Sequence, residues 1–234
     1  MKKTIGIIGG MGPLATADLF RKIILATDAD SDRAHIRILI DNNTNIPDRT
    51  AAILHGGESP MEQLVASAEI LERAGADFLI MPCNTAHYFH AQLQARTSLP
   101  VLNMLALTAD HLASRGFTKV GLLATDGTIA TGIYETLLHG RGIDIVKPDV
   151  NQQRLVMSLI YDDIKSGHQR TDPDHLRQML CALQHEGAQT FVLGCTELPI
   201  AFERDTLGVP TVDPTNVLAR SAVEFAGYPL RSCN

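Results

Sequence analysis

No stretch of the 234-residue chain approaches the roughly 18 consecutive apolar residues that a membrane-spanning helix needs. The N-terminus, MKKTIGIIGGMGP, has two lysines before a short apolar run, as a signal peptide does. That run breaks into glycines after Ile8, too early for a signal, and reads as a first β-strand. No membrane contact is expected, and the expected location is the cytoplasm. Basic residues are not in excess: the formal net charge of −6 argues against a non-specific nucleic-acid binder. Cysteine is sparse, at positions 83, 181, 195 and 233, and no two form a C-x-x-C pair. That spacing carries neither a zinc signature nor a compact disulfide framework, so no metal is expected. In a reducing compartment all four are free thiols. Low-complexity segments and long linkers are missing too.

What is there is an ordinary globular balance, 45% hydrophobic and 20% charged, enough apolar material for a substantial core. Short apolar runs alternate with longer helical patterns, the signal for βαβ units and parallel sheets. Strands are expected at 4–9, 35–41, 77–81, 101–103, 119–124, 144–146, 189–193 and 211–213. Several are continuous apolar runs, as in strands covered on both faces. Helices are expected at 13–27, 60–74, 85–96, 129–140, 151–166, 173–186 and 214–225.

The chain also repeats itself. KTIGIIGGMGPLAT aligns with KVGLLATDGTIAT, matching Gly6 to Gly121, Gly12 to Gly127 and Thr16 to Thr131. AGADFLIMPCNT aligns with EGAQTFVLGCTE, matching Cys83 to Cys195, and LPVLN aligns with VPTVD, matching Pro100 to Pro210. The expectation is an α/β protein of two pseudo-symmetric domains, each a central parallel sheet flanked by helices. Residues 1–100 with 211–234 would form the first domain and 101–210 the second. Ligands in open parallel sheets bind beyond the carboxyl ends of the strands. If the two halves face each other about a pseudo-dyad, one cleft is expected to hold Cys83 and Cys195 on opposite walls.

Each of these cysteines follows an apolar strand and precedes polar residues that can open a helix. Backbone N–H groups and the positive helix end would both favour the thiolate there. Asn84, Thr85 and Thr196 add donors for a substrate carboxylate. A lone cysteine is usually a small buried hydrophobe, and Cys181 is expected to be one. For Cys83 and Cys195 that explanation weakens, because the residue recurs at one point of both repeats. Two opposed thiols suit racemisation: one takes a proton from Cα and the other returns one to the opposite face. Donors near the carboxylate would stabilise the carbanion.

MPCNTAH, GCTELP and IGGMGP together resemble the aspartate/glutamate racemase superfamily, and specifically its aspartate racemase branch. The resemblance spans nearly the whole chain. It implies L- and D-aspartate interconversion by Cys83 and Cys195 without pyridoxal phosphate or any other cofactor, usually in a homodimer. Glutamate racemases typically carry Asp-Ser-Gly after the first strand and a histidine after the second Cys-Thr. Here Gly9-Gly10-Met11 and Glu197 stand at those places, as in aspartate racemases. The resemblance further implies that Arg49 and Lys165 recognise the side-chain carboxylate, for which a bidentate guanidinium is apt. It places Met11, Thr125, Thr128 and Glu197 in the substrate pocket as well. As simple turn chemistry, Thr128 would be an N-cap before Ile129. His87 is expected to pack within its helix, and Pro47 and Asp48 to shape the loop that presents Arg49.

Other readings compete. Gly10-Met11-Gly12 followed by Ala15 fits G-x-G-x-x-A after a strand, with Asp41 ending the next, as in a nicotinamide-binding oxidoreductase. Asp41 lies further along than the usual ~20 residues, however. Glutamate, hydantoin and broad-specificity racemases share the two-cysteine apparatus. So does maleate isomerase, with one cysteine as nucleophile. A two-lobed binding module is the non-enzymatic alternative.

Overall fold

The structure, a computed structural model, describes residues 2–168 and 171–232; Cys233 lies outside them. The chain divides into two compact units, Met1–Leu107 with Thr215–Asn234, and Thr108–Pro214. Each is a parallel sheet flanked by helices.

The first unit is built on β1 (Ile5–Gly9), all five residues buried, followed by α1 (Pro13–Ala26) and β2 (Ile38–Asn42). Then come α2 (Arg49–Leu54), α3 (Met61–Arg73) and β3 (Phe78–Ile80). The sheet order is β2-β1-β3. A continuous apolar run suits β1 because the central strand is covered on both faces. After β3 a 3₁₀ turn, Thr85–Phe89, leads into α4 (His90–Gln94), where the sequence pattern predicts one helix. The strand expected at 101–103 shrinks to a single bridge between Leu79 and Val101. Asn103 is taken by helix capping: its Oδ1 accepts from the N–H groups of Leu105 and Ala106, 3.1 and 3.0 Å away, opening α5 (Met104–Ser114).

The second unit has β4 (Lys119–Ala124), then α6 (Asp126–Thr131) and α7 (Ile133–His139), split at Gly132 where one helix is expected. β5 (Asp144–Val146) precedes α8 (Val150–Ser158), which opens on a capping box between Asp149 and Gln152. The expected helix 151–166 then widens into a π-helical segment, Leu159–Lys165. α9 (Pro173–His185), β6 (Phe191–Gly194), α10 (Leu198–Asp205) and β7 (Thr211–Val212) follow. The sheet order is β5-β4-β6-β7. α9 buries Leu176, Met179, Leu180 and Leu183 at helical spacing, which turns Cys181 outward. Cys181 is exposed, contrary to the buried hydrophobe expected. α11 (Pro214–Phe225) returns the chain to the first unit, where Phe225 meets Phe78 edge-on at 4.8 Å.

The sequence repeat recurs as equivalent contacts inside each unit. Leu79 N–H donates to the Pro100 carbonyl at 2.8 Å, and Phe191 N–H to that of Pro210 at 3.0 Å. A Cβ at Gly6 would lie 2.8 Å from the Leu79 side chain, and one at Gly121 2.5 Å from Phe191. The central strand of each sheet therefore needs glycine at this position to let its neighbour approach. Among the described residues no helix is long and apolar enough to cross a membrane.

Candidate active site

In the first unit Arg49 is the first residue of α2, and Asp48 caps that helix by accepting from Ala51 N–H at 2.8 Å. The Arg49 side chain turns inward and its residue is 7% exposed. Its Nη1 donates to the carbonyls of Ile46 (3.3 Å) and Pro47 (3.0 Å), and its Nη2 to that of Met11 (3.2 Å). These three carbonyls fix the direction of the guanidinium. The fold thus joins Arg49 to Met11, 38 positions away.

The glycines beside Met11 answer to the chain's own packing. Gly10 has φ of 90°, and a Cβ there would sit 2.3 Å from the Asn43 backbone. Its N–H donates to Thr16 Oγ1 at 3.0 Å, and that hydroxyl donates to the Gly12 carbonyl at 3.0 Å. The G-x-G-x-x-A pattern is therefore explained without a dinucleotide, and the oxidoreductase reading loses its physical basis.

Cys83 lies just beyond β3 and is 6% exposed; Asn84 and Thr85, which lead into the 3₁₀ turn, are buried with it. His87 does more than pack. Its Nε2 accepts from Met104 N–H at 3.1 Å, and its Nδ1 lies 2.8 Å from the Cys83 carbonyl. Only the neutral tautomer with its proton on Nδ1 satisfies both contacts. Burial, the main cause, lowers the imidazole pKa from 6.5 to about 4.

In the second unit Thr125, not Thr128, is the N-cap: it closes α6 by accepting from Thr128 N–H at 3.2 Å. Their hydroxyls are 3.1 Å apart. Gln153 of α8, which sequence reasoning passed over, clamps this turn, donating to the Ala124 carbonyl (2.9 Å) and Asp126 Oδ1 (2.8 Å).

Cys195 follows β6 and is 6% exposed. Its Sγ donates to Glu197 Oε2 at 3.0 Å, and the Thr196 hydroxyl reaches the same oxygen at 3.3 Å. Lys165 Nζ, at the end of the π segment, stands 4.0 Å from Glu197 Oε1. Four of the expected site residues therefore form one cluster around the Glu197 carboxylate. Burial, first, and the Glu197 charge, second, push the Cys195 thiol well above its ordinary pKa, while Lys165 opposes them. The pull toward a thiolate expected at each strand end is outweighed at Cys195 by burial and by Glu197. Tyr134, also missed from the sequence, is fully buried, and that burial pushes its hydroxyl pKa up.

The match to known proteins covers the chain. The family described as Asp/Glu/hydantoin racemase matches residues 8–222. The broad specificity amino-acid racemase RacX of Bacillus subtilis (strain 168) is 28% identical over 225 residues, covering 94% of this chain and 96% of RacX. The glutamate racemase of Desulforudis audaxviator is 28% identical over 189 residues, covering 74% of this chain and 66% of that protein. The solved structure of Picrophilus torridus aspartate racemase superposes with a TM-score of 0.84 at 34% identity, covering 98% of this chain and 96% of that one. The chain belongs to the Asp/Glu/hydantoin racemase family.

Proposed function

We propose that the protein interconverts L- and D-aspartate without a cofactor, using Cys83 and Cys195 as the two acid/base groups. The observation that carries this reading is the equivalence of the two cysteines. Each is buried directly beyond the third strand of its unit, in a segment where the sequence repeats. A thiolate takes the α-proton and leaves its electron pair on Cα, delocalised into the adjacent carboxylate. The other thiol then delivers its proton to the opposite face. Each turnover leaves the thiol and thiolate exchanged, ready for the reverse reaction.

Charge argues for an acidic side chain on the substrate. Arg49 is a buried cation and Lys165 a second, solvent-exposed one, both suited to the side-chain carboxylate. Asn84, Thr85, Thr125, Thr128 and Thr196 supply hydroxyl and amide donors for the α-carboxylate, with Met11 lining the pocket. Glu197 acts through Cys195 and Lys165. Likeness to RacX along nearly its whole length favours a second reading, a racemase of broader specificity.

The test is a panel of L-amino acids incubated with the purified protein and no pyridoxal phosphate. The aspartate reading expects D-aspartate as the fastest product, with glutamate far behind. Equal rates across the panel would support the broader reading. Full activity in both Cys83→Ala and Cys195→Ala would refute the two-base mechanism.

A further inference from the structure

We propose that His87 is a positioning residue for Cys83, its neutral imidazole fixing the peptide that carries the thiol. The inference rests on the reading of Cys83 as an acid/base group. His87 is 2% exposed, and its ring spans two segments distant in sequence: the turn after β3 and the start of α5. Nδ1–H donates to the Cys83 carbonyl at 2.8 Å, and Nε2 accepts from Met104 N–H at 3.1 Å. His90 stacks on the ring at 5.9 Å between centroids and itself binds the Val101 carbonyl through Nε2 at 2.8 Å. Two imidazoles therefore tie this turn to residues 101–104.

The arrangement constrains the reacting atom. A carbonyl and the N–H of the same trans peptide point in opposite directions. Holding the Cys83 carbonyl on the ring therefore sets the orientation of the whole Cys83–Asn84 peptide, and with it the bond from which Sγ hangs. A doubly protonated ring would have no lone pair for Met104 N–H, so the device works only while His87 is neutral. Burial keeps it so, lowering its pKa to about 4. His87 is thereby withdrawn from proton transfer to substrate and left to hold the cysteine.

Two measurements test this. In the wild-type protein labelled with ¹⁵N-histidine, NMR at pH 7 should report His87 protonated at Nδ1 and bare at Nε2. The opposite tautomer, or a doubly protonated ring, overturns the proposal whatever the variants do. The second measurement compares His87→Asn, whose amide can still reach the Cys83 carbonyl, with His87→Gln, whose amide lies nearer Met104. Displacing a reacting group by about 1 Å costs on the order of 100-fold. The Gln variant should lose roughly that much in kcat with KM within about twofold, and the Asn variant much less. Alkylation of Cys83, followed on its own peptide in a Cys195→Ala background, should change in the Gln variant alone. A lowered melting temperature with kcat and alkylation unchanged would leave His87 a purely structural residue and end the proposal. Unimpaired racemisation in Cys83→Ala would instead sink the two-base reading, with the tautomer and alkylation still deciding what His87 does to Cys83.

Discussion

The Cys195 thiol donates a hydrogen bond to Glu197 Oε2 across 3.0 Å, in a site where both residues are buried. Burial opposes ionisation of the sulfur, and a carboxylate so placed adds to it. In the two-base reading proposed above, Cys195 is the member that starts with the proton. Glu197→Gln removes the opposing charge while preserving shape, and it leaves the Lys165 cation to favour the thiolate. The thiol pKa should fall, and each unit of fall gives about tenfold more thiolate at a pH below it. Iodoacetamide labelling of the Cys195 peptide at pH 7 should accelerate accordingly. An unchanged rate would mean that Glu197 does not hold the proton on Cys195.

Acid should weaken the fold through His87. The imidazole takes up a proton near pH 6.5 when unfolded but only at about 4 when buried. Between those values the unfolded state binds more protons, so stability is fully present above pH 6.5 and is lost as the pH falls through 4. The difference of pKa corresponds to about 3 kcal/mol. Urea unfolding of the wild type and His87→Gln at pH 7 and pH 4 checks this. The gap between the two proteins should narrow by about that amount at the lower pH. A gap independent of pH would show that His87 does not titrate in this way.

Arg49 offers a planar fork that three carbonyls already orient. Lysine keeps the charge but loses the fork and its fixed direction. Arg49→Lys should raise KM for aspartate by about 10- to 100-fold, in line with the ~1.5–3 kcal/mol of a charged hydrogen bond. Initial rates over a range of substrate concentration measure it. An unaltered KM would remove Arg49 from carboxylate recognition.

Thiol alkylation should inactivate the enzyme, and bound aspartate should protect it. Cys181 is exposed on α9 and should react whether or not aspartate is present. Peptide mapping separates the two events: protection is expected at Cys83 and Cys195 and none at Cys181. Inactivation that tracks Cys181 labelling would contradict the assignment.

Much of this was legible in the residues. The buried runs of β1 and β4 read directly as central strands, because an apolar sequence without alternation has no solvent face to serve. The repeat singled out Cys83 and Cys195 among four cysteines. What stayed hidden depends on contacts between distant segments. His87 looks like a packing residue until Met104, 17 positions on, brings its N–H to the ring. Cys181 sits in an apolar-looking stretch, and only the helical phase set by Leu176, Met179 and Leu183 turns it outward. The π segment that ends at Lys165 has no counterpart in hydrophobic spacing, which is why the pattern reads as one unbroken helix. Glu197 was placed by resemblance as a substrate contact; its grip on the Cys195 proton needed coordinates.

The two-base claim is tested most directly by isotope timing. L-aspartate is incubated with the protein in D₂O, without cofactor, and both enantiomers are sampled at early conversion. With two opposed groups the D-aspartate formed carries solvent deuterium at Cα, while the remaining L-aspartate keeps its original hydrogen. D-aspartate that retains the substrate's own hydrogen would mean that one group serves both faces, and the account of Cys83 and Cys195 would be wrong.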